Sequence, residues 1–188
     1  ATIADAPEPL GAVWLRDGQI VLARSAREGL FIVGAVGRNL QALTTPRTAE
    51  GGHRWPSAQP DGSAIVFTVA SHAERADQDY AGIVSTRTRV WGRLLDDVAA
   101  ARVDVPGYLV AQRGQDLIAG AIDSRTHAIA GLPVAVMRTP AMQPGPRFAM
   151  SAAGTLVVAA PGDAWLQVAL DWTAVLRRLG PPPLPLPR

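Results

Sequence analysis

The sequence predicts an all-β chain built as a β-propeller of four-stranded blades, closed by a short C-terminal helix. Three observations carry this. Gly18 in WLRDGQIVLA, Gly62 in AQPDGSAIVFT, Gly107 in VDVPGYLVAQ and Gly154 in MSAAGTLVVAA stand 44, 45 and 47 residues apart. Each follows a short run and precedes a more apolar one, and a period in the mid-forties marks propeller blades. The strands after these glycines (IVLA, AIVFTV, YLVA, LVVA) are apolar on both faces. A half-exposed strand alternates, whereas a strand held between two neighbouring layers need not. Finally, helix signals are nearly missing until the C-terminal segment.

Taken in order, the first unit reads as strands at 12–15, 20–24, 30–35 and 40–44, with turns SAREG and VGRN between the later pairs. The second runs from 54–59 through the Pro60-Asp61-Gly62 turn into 64–69. A polar loop over 71–79 then leads to strands at 80–85 and 91–95. The third has strands at 108–112 and 117–123 around Arg113-Gly114-Gln115, with 134–137 as its outer strand. The fourth is shorter, with strands at 148–151, 156–160 and 165–170. Asp17, Gly18, Asp61, Gly62, Pro106, Gly107 and Gly154 are the structural turn residues, because tight hairpin turns favour positive φ and glycine adopts it without a Cβ penalty. Leu170, Trp172, Val175, Leu176 and Leu179 have helical spacing; Asp171 or Thr173 would cap that helix, and Gly180 with Pro181 would stop it. The expected organisation is a propeller with its terminal helix over 1–180 and an extended proline-rich tail, PPPLPLPR, over 181–188. About four blades are in view, read as part of a larger or truncated ring.

Composition narrows the class. The 188 residues are 48% apolar and 18% charged, the balance of a folded domain with a core of its own. No apolar run approaches the 18 residues of a membrane-spanning helix, and the N-terminus lacks the basic-then-apolar order of a signal peptide. It also lacks an initiator Met, and the chain is expected to be the middle of a longer one. Cysteine is absent, so no thiol chemistry is available. All 18 basic residues are arginine and they are scattered, the net charge is only +2, and the 5% of aromatic residues do not interleave with them. This argues against nucleic acid as a partner.

Candidate chemistry is sparse. His53, His72 and His127 lack the spacing of a zinc site, and no cofactor is expected. The segment with His72, Glu74, Asp77 and Asp79 gathers three carboxylates beside a histidine, but lacks the glycine and alternation of a calcium loop. Ser63 has no neighbouring base, and adjacent Asp96 and Asp97 point apart in a strand or turn. His53, Trp55 and Trp14 are candidates for the channel rim, with packing between blades as the alternative. With no lysine and no His-Arg-Asp or Asp-Phe-Gly, no kinase catalytic machinery is present.

The stretch HRWPSAQPDGSAIVFTV resembles the TolB-like, WD-repeat-like propeller motif. With ADAPEPLGAVWLRDGQIVLA, GYLVAQRGQDLIAGAID and FAMSAAGTLVVAAPG it is similar to the C-terminal propeller of bacterial serine/threonine kinases and related regulators. LDWTAVLRRLG resembles the closing helix of those chains, with Asp171 where they often carry Asn. The resemblance implies a non-catalytic module that binds a ligand or protein partner, the sensor or scaffold end of a bacterial signalling protein. In a membrane-anchored parent it would lie outside the cytoplasm. The loop over 71–79 and the segment 47–54 are then the expected binding surface. The alternatives are a propeller hydrolase or lyase, and a structural spacer.

Overall fold

The computed structural model describes residues 2–72, 78–139, 148–151, 155–159, 166–169 and 172–178. The strands form four antiparallel sheets, each a meander in sequence order. Blade I comprises β1 (Ala12–Trp14), β2 (Gln19–Leu22), β3 (Phe31–Gly34) and β4 (Gln41–Ala42). Blade II comprises β5 (Glu50–Ala58), β6 (Ala64–Ser71), β7 (Tyr80–Ser85) and β8 (Trp91–Asp96). Blade III comprises β9 (Ala100–Arg102), β10 (Tyr108–Arg113), β11 (Asp116–Asp123) and β12 (Ala128–Arg138). Blade IV has β13 (Phe148–Met150), β14 (Leu156–Ala159) and β15 (Leu166–Ala169), followed by α1 (Trp172–Arg177). The fold is a β-propeller with one short C-terminal helix.

The periodic glycines mark the same hairpin in each blade, between its first and second strands. Gly18, Gly62 and Gly107 adopt φ of 82°, 75° and 78°. A residue with a Cβ would be strained there by roughly 1 kcal/mol or more. Asp17 accepts the Gln19 N–H (3.0 Å) and Asp61 accepts the Ser63 N–H (2.9 Å), so both aspartates brace their turns in the same way. The fourth turn, with Gly154, lies outside the described residues, as do Asp171, Gly180 and the tail over 181–188.

The two-sided apolar strands are explained by three separate cores. Strand residues point alternately to opposite faces, so one strand can serve two cores. Ile65, Phe67 and Val69 of β6 pack with Val21, Leu30 and Ile32 between blades I and II. The intervening Ala64 and Val66 turn the other way, and pack with Val103, Leu109 and Ile118 between blades II and III. In blade III, Tyr108, Val110, Leu117 and Ala119 face Phe148, Leu156 and Val158 of blade IV. Trp172 and Leu176 of α1 seal that third core, which accounts for the helical spacing of the closing segment.

Two strands differ from the sequence reading. The first strand of blade III, β9, is the short run Ala-Ala-Arg and has no alternation to reveal it. Its outer strand, β12, begins at Ala128 rather than at 134, although it contains Gly131 and Pro133. The register shift between Ala119 and Ala121 leaves residues 131–133 of β12 out of the ladder, so the missing proline N–H costs no pairing.

Candidate functional site

The C-terminal ends of the first strands of all four blades meet at one mouth. Trp14 and Arg16 come from the end of β1, Gln59 from the end of β5, Asp104 from beyond β9 and Met150 from the end of β13. Together with the Pro60–Gly62 turn they line a cavity of about 310 Å³. It is the cavity to which all four blades contribute, the usual placement of ligand sites on barrels and propellers.

Its side chains are chemically varied. Trp14 stands 64% exposed at the lip, a flat apolar surface left in water. Arg16 is exposed and has no hydrogen-bond or ion-pair partner among the described residues. Gln59 is buried, and its Oε1 accepts the Ser63 hydroxyl at 2.7 Å. The Asp104 carboxylate is held in a fork by Arg102, through Nε at 2.5 Å and Nη2 at 3.0 Å. The buried Ser57 hydroxyl donates to the same carboxylate at 3.3 Å while accepting the Val103 N–H at 3.1 Å. A carboxylate so oriented is rigid as well as charged. The mouth thus combines an oriented carboxylate, an unengaged guanidinium and an exposed indole.

The residues singled out from sequence fall in three places. Trp14 lines the mouth. Trp55 sits deeper, at φ 54° in a bulge of β5, with its N–H bonded to the Leu10 carbonyl at 2.8 Å. Its ring packs against the core between blades III and IV, with the Arg54 guanidinium 4.4 Å from the ring centre. His53 is away from the rim altogether. It is fully buried between blades I and II, against the rings of Phe67 and Trp91, each 4.8 Å away. Its Nδ1 meets the Thr44 hydroxyl at 2.7 Å and its Nε2 meets Glu50 at 3.4 Å. That order of hydroxyl, imidazole and carboxylate looks like a nucleophile with its base. Yet Thr44 is buried, and its oxygen already accepts the Leu30 N–H at 2.8 Å, so no substrate reaches it. The network is a structural clamp between blades.

Burial, reinforced by the Arg47 charge, pushes the His53 imidazole down to about 4, although Glu50 pulls the other way. Burial alone would raise Glu50. The Arg47 N–H, the Tyr80 hydroxyl and His53 together overturn that and hold its carboxyl below the ordinary value, while burial and Glu50 push Tyr80 up to about 12. A stability prediction follows. Unfolded histidine binds its proton near 6.5 and the folded His53 resists it down to about 4. Stability is therefore full above pH 6.5 and falls as pH drops toward 4, by up to about 3 kcal/mol from this group. Glu50 adds a loss of the same sign below its ordinary value. Urea midpoints taken across that range should fall with acid, and His53→Gln should flatten the upper part of the fall. A midpoint that does not change between pH 6.5 and 4.5 would contradict it.

Other candidates are engaged elsewhere or lie outside the described residues. Glu74 and Asp77 of the polar loop are among residues 73–77, which the structure does not describe. Asp79 is buried and taken up by Arg54 at 2.5 Å and by the Ser71 N–H at 2.8 Å. Asp96 and Asp97 are exposed at the end of β8, where Asp96 pairs with Arg93. Ser63 serves the Asp61 turn. Among the described residues no three His, Cys, Asp or Glu side chains gather as metal ligands. No described helix is long and apolar enough to cross a membrane. Arg16, Gln59, Asp104 and Met150 escaped the sequence reading. Each lies two to four residues ahead of its blade's turn glycine, so aligning the repeats on those glycines would have brought them into adjacent columns.

No family model matches the chain, and no curated protein does. Solved structures do. An oligogalacturonate lyase in complex with manganese is 12% identical, covers 89% of this chain and 50% of its own, and superposes with a TM-score of 0.60. A puromycin hydrolase is 19% identical over 92% of this chain and 31% of its own, with a TM-score of 0.61. TolB from Acinetobacter baumannii is 18% identical over 85% of this chain and 40% of its own, with a TM-score of 0.56. The chain spans about half the length of the first structures it matches. At these identities the likeness shows the fold alone, a β-propeller. The expectation of a non-catalytic signalling module is corrected by the same comparison. The structures sharing this fold are mostly enzymes, a putative gluconolactonase and a luciferin-regenerating enzyme among them, and nothing in them supports a kinase-linked scaffold.

Proposed function

We propose that the chain is the propeller of a hydrolase or lyase that takes its substrate at the channel mouth. The observation that carries this is the convergence of Asp104, Arg16 and Trp14, from two blades, on one cavity of about 310 Å³. The substrate class that fits is a small ring-bearing anion, such as a sugar acid or a lactone-derived acid. Its ring would lie on Trp14 and its negative group on Arg16. Asp104, held by Arg102 and Ser57, is the group placed to accept a proton. It would take that proton from a carbon in an elimination, or from attacking water in a hydrolysis. The lyase, lactonase and hydrolase among the structural neighbours support this reaction class.

The test is steady-state turnover of a panel of lactones, uronate oligomers and aryl esters. At least one anionic ring substrate, or a lactone that opens to one, should be turned over. Arg16→Ala should raise KM for it about tenfold with kcat little changed, because the guanidinium binds substrate and reacting state alike. An Arg16→Ala enzyme with unaltered KM would remove Arg16 from the site.

A further inference from the structure

A second groove lies between blades II and III, beyond the Pro60–Gly62 turn of the channel mouth, and it is built from a repeated turn. The hairpin between the third and fourth strands reads Ser85-Thr-Arg87-Thr-Arg89 in blade II and Asp123-Ser-Arg125-Thr-His127 in blade III. The closing hydrogen bond is the same in both: Arg89 N–H to the Ser85 carbonyl at 2.9 Å, and His127 N–H to the Asp123 carbonyl at 2.7 Å. Arg89 and His127 both sit at positive φ, 58° and 57°, where blade I uses Asn39 at 60°. Asparagine and histidine are common in that conformation; arginine is strained in it by about 1 kcal/mol. Such strain is a pointer to function where other observations agree.

Here they do. The repeat puts Arg87 and Arg125 at the same place in adjacent blades, and both line one cavity of about 330 Å³ with His127 and hydroxyls of Ser63, Ser85, Thr86 and Ser124. No carboxylate lines it. Neither guanidinium has a hydrogen-bond or ion-pair partner among the described residues. The carboxylates nearby are already engaged: Asp123 accepts the N–H groups of Arg125 (2.7 Å) and Thr126 (3.1 Å), and Asp61 accepts the N–H and hydroxyl of Ser63. Asp123 feels the Arg125 charge from outside the lining, and the cavity itself presents two guanidiniums and no carboxylate, a surface suited to an anion. A neighbouring cavity of about 480 Å³ shares Ser85 and His127 with it, and its wall carries Val90 and Ile129. Val90 is 71% exposed on that wall.

From this we infer that the groove between blades II and III binds a small amphipathic organic anion. Its charged head lies on Arg87, Arg125 and His127, and its apolar body runs along Val90 and Ile129. The site adjoins the channel mouth through the Pro60–Ser63 turn but shares no lining residue with it, and it stands whether or not the mouth is catalytic.

Isothermal titration with octanoate, 1-octanol and inorganic phosphate tests it. Octanoate should bind at submillimolar concentration, with the neutral alcohol and the bare anion each at least about tenfold weaker, because each supplies half of the contact. The double variant Arg87→Gln/Arg125→Gln changes only exposed turn positions. It should lower octanoate affinity at least about tenfold and leave octanol unaffected. Octanol binding as tightly as octanoate, no binding of millimolar octanoate, or a double variant that keeps full octanoate affinity would each overturn the inference. The alcohol comparison uses the unaltered protein and decides the matter even if the variant fails to fold.

Discussion

Gly29→Ala should destabilise the propeller by about 3 kcal/mol or more. The methyl group would lie 1.9 Å from the Thr44 carbonyl oxygen and 2.6 Å from its carbon, and both are backbone atoms that no rotamer change can move. Room could come only from displacing Thr44. That residue accepts the Leu30 N–H through its hydroxyl, donates its own N–H to the Leu30 carbonyl, and touches His53. One substitution therefore strains the β3 end of blade I and breaks into the buried clamp between blades I and II. Overpacking costs about 1–3 kcal/mol, and each hydrogen bond lost from the buried clamp about 1 more. Against a domain stability of about 5–15 kcal/mol the loss is large. Gly18→Ala is the matched control. Its Cβ would meet nothing within 4 Å, so only its φ of 82° is penalised, at about 1 kcal/mol. Urea midpoints at unchanged slope measure both. A Gly29→Ala protein no less stable than Gly18→Ala would contradict the packing described for Thr44.

That contrast also shows what a sequence can and cannot reveal. Gly18, Gly62 and Gly107 are legible because a local turn demands their positive φ and the demand recurs in every blade. The two-sided apolar strands are legible because burial on both faces removes alternation. Gly29 and Gly52 look no different from any loop glycine. They are fixed by backbone from elsewhere, Thr44 for the one and Ala26 for the other, whose carbonyl lies 2.2 Å from a Cβ at Gly52. His53 misleads for the same reason: beside a Trp-Pro and an Asp-Gly turn it reads as displayed, and only the neighbouring blade buries it. β12 was half visible, because Pro133 and Gly131 speak against a strand and the bulge that accommodates them is a property of the pairing. The mouth was hidden most deeply. Its carboxylate, guanidinium, amide and thioether come from four segments roughly a blade apart, and no local motif joins them. A reading of isolated motifs therefore found no site, while the assembled blades bring these groups to one cavity.

The second large effect is on catalysis, and it bears on the central proposal. Asp104→Asn preserves size and the bonds from Ser57 and one arm of Arg102, but removes the charge that would accept a proton. General-base catalysis of this kind contributes about 10²–10⁴-fold. Stability should change little, because Asp104 lies at the half-buried mouth and the fork with Arg102 is partly exposed, where an ion pair contributes at most about 1 kcal/mol. The decisive measurement is kcat of Asp104→Asn on whichever substrate of the panel the unaltered protein turns over, with melting temperature recorded on the same sample. A fall of at least about 10²-fold in kcat, with KM and melting temperature nearly unchanged, is the result expected of a base at the channel mouth. A variant that keeps kcat within a few-fold of the unaltered protein would place the chemistry elsewhere and contradict the proposal.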